Sequence, residues 1–349
     1  MLPLYMLPSP GNCGNFRAIA WTSKGNARFR GTVLPLSDLV AVEATRPPHL
    51  DALEVDVFPA AFEYQRARSV DEALAFLAKH GSDARVLAGG QSLIPAMRYR
   101  LARPAVIVDI NPISALAYMK EEKGALVVGA LARDAVLEAS PVVQRYRVIA
   151  DASLVVADPV VRQSGTLVGS LCHNDPAGDW PVAAIVAGAS VLVRGQKGDR
   201  VVAIDDFLVD SYQTALGDGE MAIEARFPTP PDRTAGAYYK IERKVGDFAT
   251  ACAGARIRLG ADGTIADAAV AIGAVGPKAM RVPAAEKLLR GAKPSKDVIR
   301  AAAEEAKKLA DPVADNRGSA EYKKQMAGLL VGRALATSFA RLGVGGFTS

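Results

Sequence analysis

The chain has 349 residues, half of them hydrophobic and 23% charged, which is enough for two or three domains with a substantial core. The net charge of +5 is mild, and the Lys and Arg are scattered without interleaved aromatics, which argues against nucleic-acid binding. Cys13, Cys172 and Cys252 lie far apart with no CxxC, and the three histidines form no HExxH. These patterns exclude a zinc site or an iron–sulfur cluster carried by this chain, and unpaired thiols suit a reducing cytoplasm.

Residues 1–56 mix Pro, Gly, Arg and Ser with short apolar patches and no sustained period, so they read as a poorly ordered extension. No apolar run approaches the roughly 18 residues needed to span a bilayer. The apolar first eight residues lack a basic stretch and are broken by prolines, a poor signal peptide. The string Val57-Phe-Pro-Ala-Ala-Phe-Glu-Tyr64 resembles a natural N-terminus. Val57 is then a GUG start and residues 1–56 an over-extended gene model; an intact mass beginning near Met1 excludes this.

Regular structure is expected from there on. Ser69 and Glu72 form a capping box, Val70, Ala73, Leu74 and Leu77 follow at helical spacing, and Gly81 closes the helix beside His80. Residues 85–88 read as a short buried strand that ends at Gly89-Gly90. Two glycines in series allow φ > 0 and leave the main chain bare, and Gln91 and Ser92 add N–H donors. Such a run either holds an anion in a nest of amides or is a tight turn from strand to helix. Further strands are expected at 106–110 and 125–129, with helices over 133–140 and much of 142–155.

A second unusual segment runs from Ala157 to Asp179. It is rich in Gly, Asp, Ser and Pro and nearly devoid of period, which predicts a long functional loop. At its centre, Thr166-Leu-Val-Gly-Ser170 again gathers backbone donors and hydroxyls. Asp158, Asp175 and Asp179 could accept from ribose hydroxyls. Asp158 and Asp175 precede Pro and could equally make turns, and Asp179 could cap the helix that follows. Residues 182–187 then read as helix, and 190–194, 201–204 and 222–227 as strands. Residues 228–236 are the clearest linker. Beyond it, strands at 237–242, 251–259 and 265–274, with an Asp262-Gly263 hairpin turn, precede amphipathic helices at 282–290, 295–310 and 320–341. This tail reads as an α+β domain, an antiparallel sheet backed by helices.

Taken in this order, Ala88-Gly-Gly-Gln-Ser-Leu-Ile-Pro95 and Thr166-Leu-Val-Gly-Ser-Leu-Cys-His-Asn-Asp-Pro-Ala-Gly-Asp179 resemble the two flavin motifs of the medium subunit of molybdenum hydroxylases. That family includes aerobic carbon monoxide dehydrogenase and xanthine dehydrogenase. The resemblance runs from about residue 57 to 342, and Lys244-Val-Gly-Asp-Phe-Ala249, Gly273-Ala-Val-Gly-Pro277 and Asp315-Asn-Arg-Gly-Ser-Ala-Glu-Tyr322 extend it. It implies a two-lobed FAD-binding fold of the vanillyl-alcohol-oxidase (PCMH) type over 57–229 and a C-terminal α+β domain over 237–345. It implies FAD between the lobes. Leu87, Ala88, Gly89, Gly90, Gln91, Ser92 and Leu93 would wrap the pyrophosphate together with Thr166, Leu167, Val168, Gly169 and Ser170. By the same resemblance Asp179 would hold the ribityl or ribose side, Met221 and Ala222 would meet a flavin edge, Val156 would line the cofactor and Lys240 would approach the isoalloxazine. A cation there stabilises the anionic reduced ring, although a lysine on an edge strand is more commonly a surface residue.

The resemblance also implies partners: a small subunit with [2Fe–2S] clusters and a large molybdopterin subunit, assembled as a dimer of heterotrimers. No nucleic acid is implied, and at most peripheral membrane association. Electrons would pass from the clusters through FAD to a quinone, NAD or oxygen. One departure stands out, because Val168 replaces the first glycine of the second motif. A β-branched residue resists φ > 0, so the backbone is expected to keep φ < 0 there. The rivals are a stand-alone flavin oxidoreductase of the same fold, for which His173 is the available acid–base group, and an assembly subunit that has lost FAD.

Overall fold

The computed structural model describes residues 58–347 throughout, and before them only three strands, β1 (Met6–Pro8), β2 (Phe16–Trp21) and β3 (Gly31–Leu34). These pair as an antiparallel sheet in the order β1-β2-β3, within a unit of residues 1–56 separate from residues 57–349. The expected poorly ordered extension and the start at Val57 otherwise fall outside the described residues.

The first lobe of the larger unit is a parallel sheet. Its elements are β4 (Glu63–Arg66), α1 (Val70–His80), β5 (Ala84–Leu87), α2 (Leu93–Arg98) and β6 (Val106–Asp109), with strand order β4-β6-β5. Helix α1 starts and stops where its residues dictate. The Ser69 hydroxyl accepts from the Glu72 N–H at 3.1 Å, the Glu72 carboxylate accepts from the Arg68 N–H at 2.7 Å, and Gly81 ends the helix at φ +52°.

The second lobe opens with β7 (Met119–Glu122), β8 (Ala125–Gly129), α3 (Asp134–Ala139) and α4 (Arg147–Ser153). Then come α5 (Pro159–Arg162), α6 (Leu167–His173), α7 (Asp179–Ala187), β9 (Ser190–Gly195), β10 (Gly198–Ala203) and α8 (Ile204–Phe207). A short hairpin of β11 (Leu208–Asp210) and β12 (Gln213–Thr214) leads to β13 (Met221–Pro228). The lobe's sheet is antiparallel in the order β10-β9-β13-β8-β7, and α6 packs against β13.

The segment expected to be a long loop, 157–179, is a correction. It contains two short helices, because its polar residues act as caps rather than loop formers. Asp158 accepts from the Val161 N–H at the start of α5, and the Thr166 hydroxyl accepts from the Gly169 N–H at the start of α6. Asn174 ends α6 in the left-handed conformation at φ +46°. Too few apolar residues fall in each turn for a period to show.

The C-terminal region is a meander of β14 (Thr234–Ile241), β15 (Ala251–Leu259), β16 (Ile265–Gly273) and β17 (Met280–Arg281), followed by α9 (Pro283–Leu289), α10 (Lys296–Leu309) and α11 (Ala320–Arg341). Its sheet is covered on both faces. Ala253, Ala255, Val270 and Ile272 share a core with α10 and α11, while Tyr238, Cys252, Ala269 and Ala271 join the core of the two preceding lobes beside α4 and α7. Gly254 and Gly273 let α7 come close, since a Cβ would meet Val186 at 3.0 Å and Val182 at 2.6 Å.

Candidate functional site

The two glycine-bearing loops meet. A Cβ built on Gly89 would lie 2.3 Å from the Ser164 carbonyl oxygen and 3.0 Å from the Gly165 Cα, so their main chains are in direct contact. Gly90 takes φ +73°, a conformation that L side chains rarely adopt. Among the described residues, no protein acceptor takes the main-chain N–H of Gly89, Gly90, Gln91, Ser92 or Leu93. In the second loop Ser164 and Gly165 donate to the Val161 carbonyl, Gly169 and Ser170 donate to Thr166, and an antiparallel bridge between Arg133 and Thr166 engages Leu167; the N–H groups of Thr166 and Val168 have no protein acceptor among the described residues. Half-buried backbone donors rarely go unpaired, so the run at Gly89–Leu93, together with the Thr166 and Val168 amides of the loop it touches, describes a cradle for an acceptor-rich group, of which a diphosphate is one.

Two residues that the sequence reading missed tie the cradle together. Arg133, just before α3, donates from one guanidinium nitrogen to the Ser164 carbonyl and from another to the Asn111 side-chain oxygen, both at 2.7 Å. Asn111 in turn donates to the Ala88 carbonyl at 2.9 Å. By local sequence Asn111 precedes Pro112, a turn pair, and Arg133 stands at the start of the expected helix over 133–140. Neither position carries a local signal for a clasp between loops.

Val168 lies inside α6 with its side chain in the main core and φ outside the positive range, as expected for a β-branched residue. The valine thus points into packed apolar surroundings, away from its own main-chain N–H. Met221 and Ala222 are buried at the start of β13, and no hydrogen bond joins them to either loop among the described residues.

At the other end of the segment, α4 gives way to a turn through Val155 and Ala157, the latter at φ +47°. Gly246 packs on this turn, where a Cβ would meet Asp158 Cβ at 3.0 Å. Lys240 projects here from β14. Its strand is an edge strand, but the side chain is only 2% exposed, which corrects the surface-lysine alternative. The ammonium donates to the Val155 carbonyl at 2.6 Å and to Asp179 at 3.1 Å, and Glu242 lies 3.1 Å away. Val156, next in chain, is buried and its carbonyl accepts from Arg162.

Asp179 is the first residue of α7, and Gly178 is the cap, so the capping alternative is also corrected. Its carboxylate accepts from Lys240 and from the Tyr238 hydroxyl at 2.7 Å. Burial pushes the Asp179 carboxyl up and Lys240 opposes this, while burial also pushes the Tyr238 phenol well up. Asp175 makes a local turn, accepting from the Ala177 N–H. His173, the acid–base group available to a stand-alone enzyme, ends α6 with its ring 5.1 Å from that of Tyr212, and burial pushes its pKa down.

A cavity of about 770 Å³ opens on the far side of β14, between α10 and α11, lined by Tyr239, Lys307, Gly332 and Arg333; it shares no residue with either loop. No helix among the described residues is long and apolar enough to cross a membrane.

Comparison with known proteins agrees with this geometry. Residues 60–230 match the model of the FAD binding domain in molybdopterin dehydrogenase, and residues 236–338 that of the CO dehydrogenase flavoprotein C-terminal domain. The carbon monoxide dehydrogenase medium chain of Hydrogenophaga pseudoflava is 39% identical over 286 residues, covering 82% of this chain and 99% of the relative. Subunit alpha of the 6-hydroxypseudooxynicotine dehydrogenase complex of Paenarthrobacter nicotinovorans is 34% identical, covering 81% and 96%. Among solved structures, Hydrogenophaga pseudoflava carbon monoxide dehydrogenase lacking the Mo-pyranopterin moiety of its cofactor superposes with a TM-score of 0.79 at 40% identity, covering 81% of this chain and 99% of that one.

Proposed function

Because the chain belongs to the family of FAD-binding medium subunits of molybdenum hydroxylases, we propose that it relays electrons from the [2Fe–2S] clusters of a small partner subunit to an external acceptor. Its fold is the PCMH-type two-lobed FAD fold followed by the flavoprotein C-terminal domain of the carbon monoxide dehydrogenases. The acceptor is a quinone, NAD or oxygen. The substrate is chosen and oxidised in a large molybdopterin subunit, and the complex is a cytoplasmic dimer of such heterotrimers.

The observation that carries this reading is the contact of Gly89 with Ser164 and Gly165, which sets the unpaired amides of Gly89–Leu93 against the loop that carries those of Thr166 and Val168. Those amides fit a diphosphate, and Lys240 fits the electron-rich end of a reduced flavin ring. FAD, when bound, supplies the exchange of single electrons with clusters and of electron pairs with other acceptors. This chain's residues do the rest. Gly89 to Leu93 and Thr166 to Ser170 hold the diphosphate, and Arg133 and Asn111 keep the loops in register. Lys240, held by the Val155 carbonyl and shared between Asp179 and Glu242, places a buried ammonium–carboxylate cluster at the flavin end. The packing of Val168 in the core speaks against an assembly subunit that has lost its cofactor.

Purification tests the reading. A yellow protein holding one FAD per chain, isolated together with a smaller iron–sulfur chain and a larger one, is the expected result. A colourless protein, or a yellow one that turns over a substrate without partners, contradicts it.

A further inference from the structure

Helix α7 gives its first two side chains different partners. Asp179 reaches Tyr238 and Lys240, and Trp180, next in chain, donates its indole N–H to the Asp134 carboxylate at 3.0 Å. Asp134 lies directly beneath the second glycine loop. Its backbone N–H donates to the Gly165 carbonyl at 2.9 Å, and its other carboxylate oxygen would lie 2.5 Å from a Cβ on Gly165. Trp180 is 1% exposed and Asp134 3%, so the contact is sealed from water.

We propose that Asp134 and Trp180 are a positioning pair for FAD: they fix the Ser164–Gly165 main chain against α7, and so set the distance between the diphosphate cradle and the Lys240 end. The proposal rests on the FAD reading above. The pair acts through the loop, without touching the cofactor. A buried carboxyl beside a diphosphate cradle is also sensitive to its own charge. Burial raises the Asp134 carboxyl to about 7, against the opposing pull of the Trp180 N–H and of Arg162 and Arg133; Asp179 pushes it further up. Of these neighbours, Arg162 is itself paired with Glu138, and Asp179 with Lys240. The protonated, neutral form suits a neighbouring diphosphate better than the anion does. FAD affinity is therefore expected to weaken as the pH rises through neutrality.

The test uses the full chain, with W21F leaving Trp180 as the sole tryptophan. In the FAD-free protein, Trp180 emission should titrate near neutrality and D134N should abolish that titration. FAD affinity, read from flavin fluorescence between about pH 5.5 and 8.5, should fall as pH rises in the parent and stay flat in D134N, which keeps the acceptor for Trp180. W180F, which keeps the ring but removes the donor, should weaken FAD about tenfold. A pH slope in D134N equal to that of the parent overturns the proposal. So does a W180F protein that melts lower but binds FAD as before. A parent that binds no FAD defeats the functional reading instead, and the emission titration then still reports whether the Asp134–Trp180 contact exists.

Discussion

Replacing Gly89 by Ala isolates the contact on which the FAD reading depends. The new Cβ would sit 2.3 Å from the Ser164 oxygen and 3.0 Å from the Gly165 Cα. Both neighbours are main chain, so no side chain can swing away. Ordinary contact requires the loops to part by roughly 1 Å, at a cost of about 1–3 kcal/mol for overpacking. Relief requires the two main chains to part, which opens the cradle. The amides then no longer converge on one diphosphate. If that strain falls on the bound state, FAD dissociation constants rise about ten- to hundredfold, at 1.4 kcal/mol per decade. The assay is equilibrium titration of FAD-depleted protein by fluorescence, with a thermal melt alongside. Gly332→Ala is the control: its Cβ would meet only Ile299 at 3.7 Å, and FAD affinity should be unchanged. A G89A protein that binds FAD as tightly as the parent would refute the claim that these loops form the cradle.

Val168→Gly should lower the melting temperature, through a core cavity and a helical glycine worth about 1 kcal/mol by itself, yet leave FAD affinity within about twofold. A large gain in affinity would mean that the valine crowds the cofactor after all. Lys240→Met should destabilise the protein by about 3–5 kcal/mol, because Asp179 and Glu242 lose their shared cation inside the protein. Asp179 already has a raised carboxyl, so the folded form can recover by taking up a proton; denaturant melts should show the deficit growing with pH, and an equal deficit at acid and alkaline pH contradicts this. Asp134 is raised from 3.8 to about 7, so its contribution is complete below the unfolded value and is lost as pH rises through 7. Asp134→Asn should therefore be indistinguishable from the parent near pH 4 and more stable at pH 8, by an amount on the order of 4 kcal/mol at most. Urea melts at the two pH values check this, and a gap that fails to widen refutes it.

Much of the architecture could be read along the chain because it is specified locally. The Ser69–Glu72 box and Gly81 bound α1, and the glycine pair after β5 announces bare main chain. Residues 251–259 and 320–341 are the observed bounds of β15 and α11. In each case, residues within one turn or one strand carry the whole signal: a cap, a period, or a φ that only glycine adopts easily. The short helices α5 and α6 escaped because four to seven residues are too few to establish a period, and their caps look like turn formers. What only the tertiary structure decided lies between distant segments. Lys240 sits on an edge strand that would normally expose it, and becomes buried because the sheet's second face is covered by α4 and α7. Arg133 and Asn111 clasp loops 88 and 164, and Trp180 braces Asp134, through bonds spanning 22 to 46 residues. A side chain's local preference is the same whether or not such a partner arrives. The partner, and with it burial, charge state and role, is set only when the lobes close on one another.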